Sequence, residues 1–568
     1  MSEVEVLTFD KGVNRKKSPL LLSGGEVYTA SGFSYNKDGI LECRDAVTEE
    51  GEIDSTATST VNMIHRYENS VLASAKTLCP GEVAYFNYIY QREKDGSAFT
   101  ELNSMLGSDR PRTADYWKFT FMVDGESKKA YIDEKGYEWG IENPPAPPTV
   151  AVGAAGNPDG EYDCYVTFHI TFPNTQVYET GPSSAATVTV SSEKISWSDI
   201  PVCPYSGSGL TIYRKLYRSV SGVVYFVTTI QDNTTTTYTD NETDATLQAN
   251  SAISTTGYDV PPSGCPDVAM HLQRLFLIRD NKLYWSEPYI PFAFKPDSSI
   301  SACREEEDLV ALVPWSDQLY IPSRYEWYRL QGSSDVTWSI KKTFTDVGIT
   351  NRDTLAKTRF GILGQWYDGV YIFDGATNKN LTEKFLGSTY FDNISNPELC
   401  YAYFDGLKYY FYHDVGGTDA CIVIDFTYYP DIRVYHEDLV ASARSFYTET
   451  GVSYLAKDGY EYSVSGTETI ATDLLTGDLT FGNITKQKNL RYLYYDINTN
   501  SQDVTVTIYK DGMSAHTITL NNSARTRKRH GPLPQMDGYR FALGIGCSDS
   551  TGIEIYAPWV LEADLVGE

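Results

Sequence analysis

At 568 residues the chain is too long for a single hydrophobic core, so two to four domains are expected. A formal net charge of -28 speaks against gripping nucleic acid by neutralising its phosphates, because that mode needs a Lys/Arg excess on the contact face. General solubility explains the charge as readily as a surface that DNA slides past without sticking.

The 44 Tyr residues, against 7 Met, favour half-buried pleated surfaces and hence an all-β protein. The start, Met1-Ser2-Glu3-Val4-Glu5, lacks the basic and apolar regions of a signal peptide. Short alternating strands then recur, such as Val83 to Tyr90, with almost no helical periodicity. Asp-Gly pairs punctuate them at Asp38-Gly39, Asp95-Gly96, Asp124-Gly125, Asp368-Gly369, Asp374-Gly375, Asp405-Gly406, Asp458-Gly459 and Asp511-Gly512. Each is expected to turn a two-residue hairpin, where both central positions need positive φ.

Two proline clusters, Pro144-Pro145-Ala146-Pro147-Pro148 and Pro261-Pro262 with Pro266, bracket a middle segment. Stiff connectors of this kind make domain edges. Between them, strands are expected near Tyr162–Thr171, Ala186–Val190, Gly209–Arg218 and Val223–Ile230, with a last one before Asp240. This spacing fits one immunoglobulin- or fibronectin-like sandwich inserted into a larger domain. From Asn281 the hairpins resume through Lys282–Ser286, Leu309–Pro314, Gln318–Ser323, Tyr325–Leu330, Gly361–Trp366, Val370–Phe373, Lys408–Tyr412 and Cys421–Phe426. Strands in fours read as propeller blades, although no fixed repeat period is legible. The longest apolar run, Leu309 to Trp315, is far too short to span a membrane. Beyond Gly466, Tyr492–Ile497, Val504–Tyr509, His516–Leu520, Tyr539–Gly544 and Ile553–Ala557 would make a terminal β-sandwich.

No catalytic motif stands out: there is no phosphate-binding Gly-Lys-Ser/Thr loop, no Gly-x-Ser-x-Gly elbow and no His-Glu-x-x-His helix. The cysteines, Cys43, Cys79, Cys164, Cys203, Cys265, Cys303, Cys400, Cys421 and Cys547, are scattered singly and read as small buried hydrophobes in a protein made in a reducing cytoplasm. His413-Asp414 and His436-Glu437 place carboxylates beside imidazoles, but neighbours on a strand point to opposite faces. The acidic run Glu305-Glu306-Glu307-Asp308 is expected to be a solvated loop between blades, with a cation site or a wall facing DNA as alternatives. The basic stretch Arg525-Thr526-Arg527-Lys528-Arg529-His530, with Lys486, Lys488 and Arg491 nearby, reads first as a solvated turn, then as an interface with an acidic neighbour, and last as a DNA contact, since no aromatic residues interleave with it. No catalytic, metal or cofactor residue is therefore assigned.

Four stretches resemble the nozzle, or tail hub, family of short-tailed bacteriophages, whose members are also known as packaged-DNA stabilisation or tail tubular proteins. The first runs from Gly12-Val13-Asn14 through Ser18-Pro19-Leu20-Leu21-Leu22 and Gly25-Glu26 to Asp38-Gly39-Ile40-Leu41. The second is Gln273–Leu277 with Asn281–Glu287. The third is Leu309–Trp315, Gln318–Ile321 and Tyr325–Gly332, followed by Gly348-Ile349, Arg352 and Gly369–Gly375. The fourth is Thr472-Asp473-Leu474 with Gly482, Lys486, Lys488 and Leu490–Ile497. Their order and spacing carry the likeness. The middle segment, through Glu179–Ser183 and Leu216–Ser219, resembles fibronectin-like modules that decorate phage tail proteins.

Strand texture and the proline edges divide the chain into a β-propeller-like body over residues 1–145 and 261–465, an inserted immunoglobulin/fibronectin-like sandwich over 146–260 and a C-terminal β-sandwich over 466–568, and the resemblance implies the same blades and terminal sandwich. It also implies a non-enzymatic virion tail protein, assembled in the host cytoplasm, that forms a homo-hexameric ring below the portal and adaptor. Tail fibre, spike or plug proteins would attach to the ring, and double-stranded DNA would pass through its lumen without sequence-specific binding. Two other readings stay open: a receptor- or glycan-binding tail adhesin, and a propeller glycan depolymerase, which would need facing carboxylates.

Overall fold

The computed structural model describes residues 2–36, 40–43, 46–54, 60–67, 70–78, 85–93, 98–107, 109–132, 135–415, 418–436, 445–449, 452–457, 459–466 and 470–566. Cys79, Val83-Ala84, Glu437 and the Asp38-Gly39 and Asp95-Gly96 turns lie outside them, as does Asp458. The described part is all-β, as expected, with helix confined to short segments such as Asp244–Gln248 and Ser388–Asp392.

Seven four-stranded antiparallel sheets follow one another along the chain. Blades 1 and 2 cover Thr60–Met105 and Arg112–Glu138, and blades 3 to 6 cover Asp267–Ser301, Val313–Lys342, Ala356–Asn380 and Tyr401–His436. Blade 7 takes three strands from Ser445–Gly466, and its fourth, Ala46–Glu52, comes from near the N-terminus, pairing Tyr460 with Glu52 and Ser463 with Thr48. The ring is thereby closed by pairing residues some 400 positions apart in sequence, reinforced where the Ile64 N–H of blade 1 donates to Ser445 Oγ of blade 7 at 2.7 Å. The body is a β-propeller.

Residues 2–43 do not belong to the propeller, contrary to the boundary expected at residue 1. Ser2–Leu7 pairs with Trp559–Leu565 at the other end of the chain, placing Val4 opposite Glu562. Glu26–Ser31 pairs with Ile470–Thr476. The C-terminal sandwich is therefore built by both ends of the chain, as two sheets closing over Leu493, Ile497, Val506, Ile508, Phe541, Leu543 and Trp559. The same core runs into blade 6 through Tyr412, Val423 and Tyr435, and Tyr35 meets Tyr435 edge-on at 5.6 Å. Two-ended pairing has no local signature, so a boundary at residue 1 is all that alternation and turns can suggest.

The insert folds over its own core of Cys164, Val166, Ile195, Trp197 and Leu216. Its first strand, Thr149–Thr171, pairs with Ala186–Ser198 from Thr149 to Cys164, with register shifts around Ala155, and with Thr211–Val220 from Cys164 to Thr171. All six of its strands are linked in one hydrogen-bonded sheet. Its near end is cemented to the propeller: Phe172 stacks on Phe292 of blade 3 at 4.8 Å and meets Phe119 of blade 2 edge-on at 5.0 Å.

The turns divide into two chemistries. Asp511-Gly512 is the expected two-residue hairpin, with φ of 50° and 87°. At Asp124, Asp374 and Asp405 the aspartate instead accepts the backbone N–H groups two and three residues on, building a longer side-chain-capped turn. Meanwhile the first hairpins of blades 2, 3 and 4 use Trp117-Lys118, Leu272-Gln273 and Ser316-Asp317 with positive φ throughout, without a glycine.

No helix among the described residues is long and apolar enough to cross a membrane. Of the described cysteines, six are buried, Cys303 and Cys547 are half-buried, and none is in a disulfide.

Candidate functional site

The first strands of neighbouring blades contact one another, so they wall the propeller axis. Arg112 stands on the first strand of blade 2. Its Nε donates to Asp267 of blade 3 at 3.2 Å, and its Nη1 reaches Asp353, just before blade 5, at 3.4 Å. Arg110 stacks on Tyr401 of blade 6 at 3.9 Å. Arg352 donates to the Pro266 and Arg110 carbonyls. These contacts cross the ring from blade 2 to blades 5 and 6, so the propeller's own bore is bridged at this level. Although burial opposes the charge, the two carboxylates hold Arg112 above its usual pKa. Lys357 shares the bore: solvent reaches it, but protein walls and the neighbouring Arg112 push its ammonium below the ordinary lysine range.

Asp267 is 1% exposed, and its carboxylate also accepts from Leu312 and Val268 N–H at 2.8 and 2.9 Å. Both axial carboxylates are thus tied to Arg112 or to backbone. A glycosidase needs one acid kept protonated and one carboxylate free to attack or to activate water. Neither carboxylate of this pair is left without a partner.

A cleft of about 770 Å³ opens where hairpins of blades 3, 4 and 5 converge, lined among others by His271, Trp315, Asp317, Arg329, Gln331 and Asp374. Trp315 is fixed by its indole N–H, which donates to the Thr358 carbonyl at 2.7 Å. Burial works against the Asp374 carboxylate, but the N–H groups of Thr377 and Ala376 hold it below its usual range. Burial pushes His271 down. Arg329 differs from the axial arginines: its Nε is buried without a hydrogen-bond partner, and it is in none of the ion pairs among the described residues. From sequence alone Tyr325–Leu330 reads as a strand and nothing more. The available signal was one polar residue, Arg329, inside the run Trp327-Tyr328-Arg329-Leu330.

The residues singled out from sequence are placed as follows. His413 is buried in blade 6; its Nδ1–H donates to the Phe411 carbonyl at 3.1 Å, which leaves Nε2 to accept from the Tyr390 hydroxyl at 2.8 Å. Glu305 and Glu306 are exposed between blades 3 and 4, as a solvated loop requires, but Glu307 turns inward to accept from Ser323 Oγ. Among the described residues no cluster of three His, Cys, Asp or Glu is placed to hold a metal.

The basic stretch is a strand, Thr526–His530, and not the expected turn. It pairs with Lys488–Asn498 through one edge, and Arg527 and Lys528 stand exposed on it. Charges on an outer strand deter edge-to-edge association. Aromatic residues do accompany it in space: Arg525 stacks on Tyr556 at 3.8 Å while pairing Asp496 at 2.7 Å, and Arg529 lies over Tyr492 at 4.5 Å. Lys488 is buried, donating to the Lys486 carbonyl at 2.8 Å, and Arg491 pairs Asp564 at 3.2 Å. Of this cationic set Lys488 is buried, Arg525 and Arg491 are paired at the surface, and Arg527, Lys528 and Arg529 stand exposed.

No protein-family model matches the chain, and no curated protein matches it. Solved structures align with it at 7–11% identity. The AfRom2 CNH domain aligns over 66% of this chain and 97% of its own with a TM-score of 0.23. An alpha-L-arabinanase of Penicillium chrysogenum, complexed with arabinobiose, aligns over 74% and 97% at 10% identity and a TM-score of 0.22. The endosialidase of phage phi92 aligns over 75% and 70% at 11% identity and a TM-score of 0.23. Likenesses this weak carry no argument about what the chain does.

Proposed function

We propose that the chain is a non-enzymatic structural subunit of a phage tail, of the nozzle or tail-hub kind, assembling as a homo-hexameric ring between the portal–adaptor complex and the fibres, spikes or plug. The sequence resemblance supplies the family. The observation that carries the non-catalytic half is the axial network, in which Asp267 and Asp353 both pair with Arg112. Because blade 2 reaches across its own ring, DNA in this reading passes through a lumen enclosed between subunits and never through a propeller. Each copy brings a formal net charge of -28, and a lumen wall carrying part of that excess would repel phosphates. Negative-stain electron microscopy of the purified chain, or of the particle containing it, tests the reading. A ring of identical subunits on one axis is expected. A stable monomer that hydrolyses host capsule or lipopolysaccharide would overturn it.

A second reading, attachment to glycan, is favoured by the cleft of blades 3 to 5. Its unpaired Arg329 beside Trp315 and Gln331 matches a saccharide bearing a carboxylate. The two readings coexist in one tail protein, and binding of the isolated chain to acidic glycans separates the second from the first.

A further inference from the structure

The sandwich sheet that joins the two ends of the chain has two open margins. Its strands run Ser2–Leu7, Trp559–Leu565, Lys488–Asn498 and Thr526–His530, each antiparallel to the next. Among the described residues no strand pairs with the outer edge of Ser2–Leu7 or of Thr526–His530. The cross-strand register puts Val6, Val560, Tyr494 and Arg529 in one row, so the two margins share a face. On that face Val4 and Val6 stand 56% and 57% exposed at one margin, and Arg527 and Arg529 stand exposed at the other. By alternation the opposite face carries Glu3 and Glu5 at the first margin and Lys528 at the second. One strand thus holds two acids and no base, the other three bases and no acid. Glu3 and Glu5 are half-buried beside Lys488, a single cation for two carboxylates.

We propose that the basic margin of one copy accepts the acidic margin of a second copy of this chain as an added antiparallel strand. This rests on the ring reading above and gives that ring its contact. Open edges bear unpaired main-chain N–H and C=O groups, which an added strand satisfies. Charge selects the strand. Two acidic margins repel each other, as do two basic ones, so the mixed pairing is the one left. The four strands alternate in direction, so the alternation continues across a junction between copies that face the same way. Face must match face, because a one-residue slip would turn every side chain over. The matched register of greatest overlap sets Glu5 opposite Lys528 of the next copy, Val4 opposite Arg529 and Val6 opposite Arg527. The arginine stems then cover the exposed valines while their guanidiniums stay in water. An edge of six residues buries less than the roughly 800 Å² per partner of a standard interface, so one junction alone is weak. A head-to-tail contact that closes gives each copy two junctions, and closure is what holds the ring.

The test is cysteine cross-linking of the full chain under mild oxidation, read on non-reducing gels beside negative-stain microscopy. Val6→Cys combined with Arg527→Cys should give a ladder of covalent multimers that ends at the closed ring. Either substitution alone should leave monomers, and the unsubstituted chain, whose described cysteines are buried or half-buried, sets the background. Arg527→Glu with Lys528→Glu, at two exposed positions, should weaken assembly about tenfold or more and leave the unfolding midpoint unchanged. Raised salt should weaken the wild-type ring in the same direction. Dimers from Val6→Cys alone would mean that acidic margins pair with each other, and would overturn the proposal. Rings in the microscope that neither cross-link nor respond to the charge reversal would remove this contact and leave the ring reading standing. Monomers at every concentration, with neither ladder nor ring, would remove both.

Discussion

Arg112 and Arg329 stand on strands of the same propeller and face opposite circumstances. Arg112, at the axis, meets two carboxylates from two other blades. Arg329, in the cleft of blades 3 to 5, meets none among the described residues. The axial guanidinium is already neutralised by carboxylates of the ring, and separating them would leave Asp267 buried and charged without its cation. The cleft guanidinium has donors to give. Of the two guanidiniums, the one in the cleft is where binding is to be sought.

The largest expected effect tests the axial half of this contrast. Arg112→Ala should destabilise the protein by about 3–5 kcal/mol, the usual result of breaking a buried pair from one side. Urea unfolding measures it, and a loss under about 1 kcal/mol would mean that the cross-axis pairs do not clamp the ring. Next in size is an effect of acid at the joint between ring and sandwich. His413 is held neutral by burial, with its pKa pushed down to about 4, and His436 to about 3. Unfolded histidines titrate near 6.5, so the unfolded chain takes up these protons first as the pH falls. Stability from His413 is complete above about pH 6.5 and drains away toward pH 4, on the order of 3 kcal/mol in all. Denaturant midpoints that stay level across this window in wild type would contradict the assignment.

Much of the fold was readable because it is local. Alternation and turn residues located most blade strands, the insert and the C-terminal strands, since a hairpin partner lies a few residues away. What escaped reading was distant or backbone-encoded. Val4 opposite Glu562 and Tyr460 opposite Glu52 have no nearby sequence cue. The turns at Leu272-Gln273 and Ser316-Asp317 adopt positive φ without Gly or Asn because the strands they join fix the register, while Asp374-Gly375 turns through side-chain capping instead. The sites were less legible than the fold. Nothing in the sequence distinguishes paired Arg112 from unpaired Arg329, because the difference is made by residues on other blades.

Turn chemistry gives an intermediate test. Gly512 sits at φ 87° with open space around it beyond the Arg540 side chain, so Gly512→Ala meets backbone strain but no serious clash. A loss of about 1–2 kcal/mol is expected in thermal or urea unfolding, and Gly24→Ala, where φ is ordinary and space is open, serves as the control with little change.

The smallest effect on stability carries the sharpest consequence for function. Arg329→Gln should change unfolding free energy by less than about 1 kcal/mol, because it breaks no ion pair and retains a polar side chain. If the cleft takes a carboxylated saccharide, the same change should lower affinity about tenfold or more, a charge-assisted contact being worth about 1.5–3 kcal/mol. Neutral saccharides that use only Trp315 and the surrounding amides should bind equally to both forms. The split decides between the regions: stability lost at Arg112 without a binding phenotype, and binding lost at Arg329 without a stability phenotype. Should Arg329→Gln unfold the protein as Arg112→Ala does, the cleft arginine is a structural cation like the axial one, and the glycan reading loses its support.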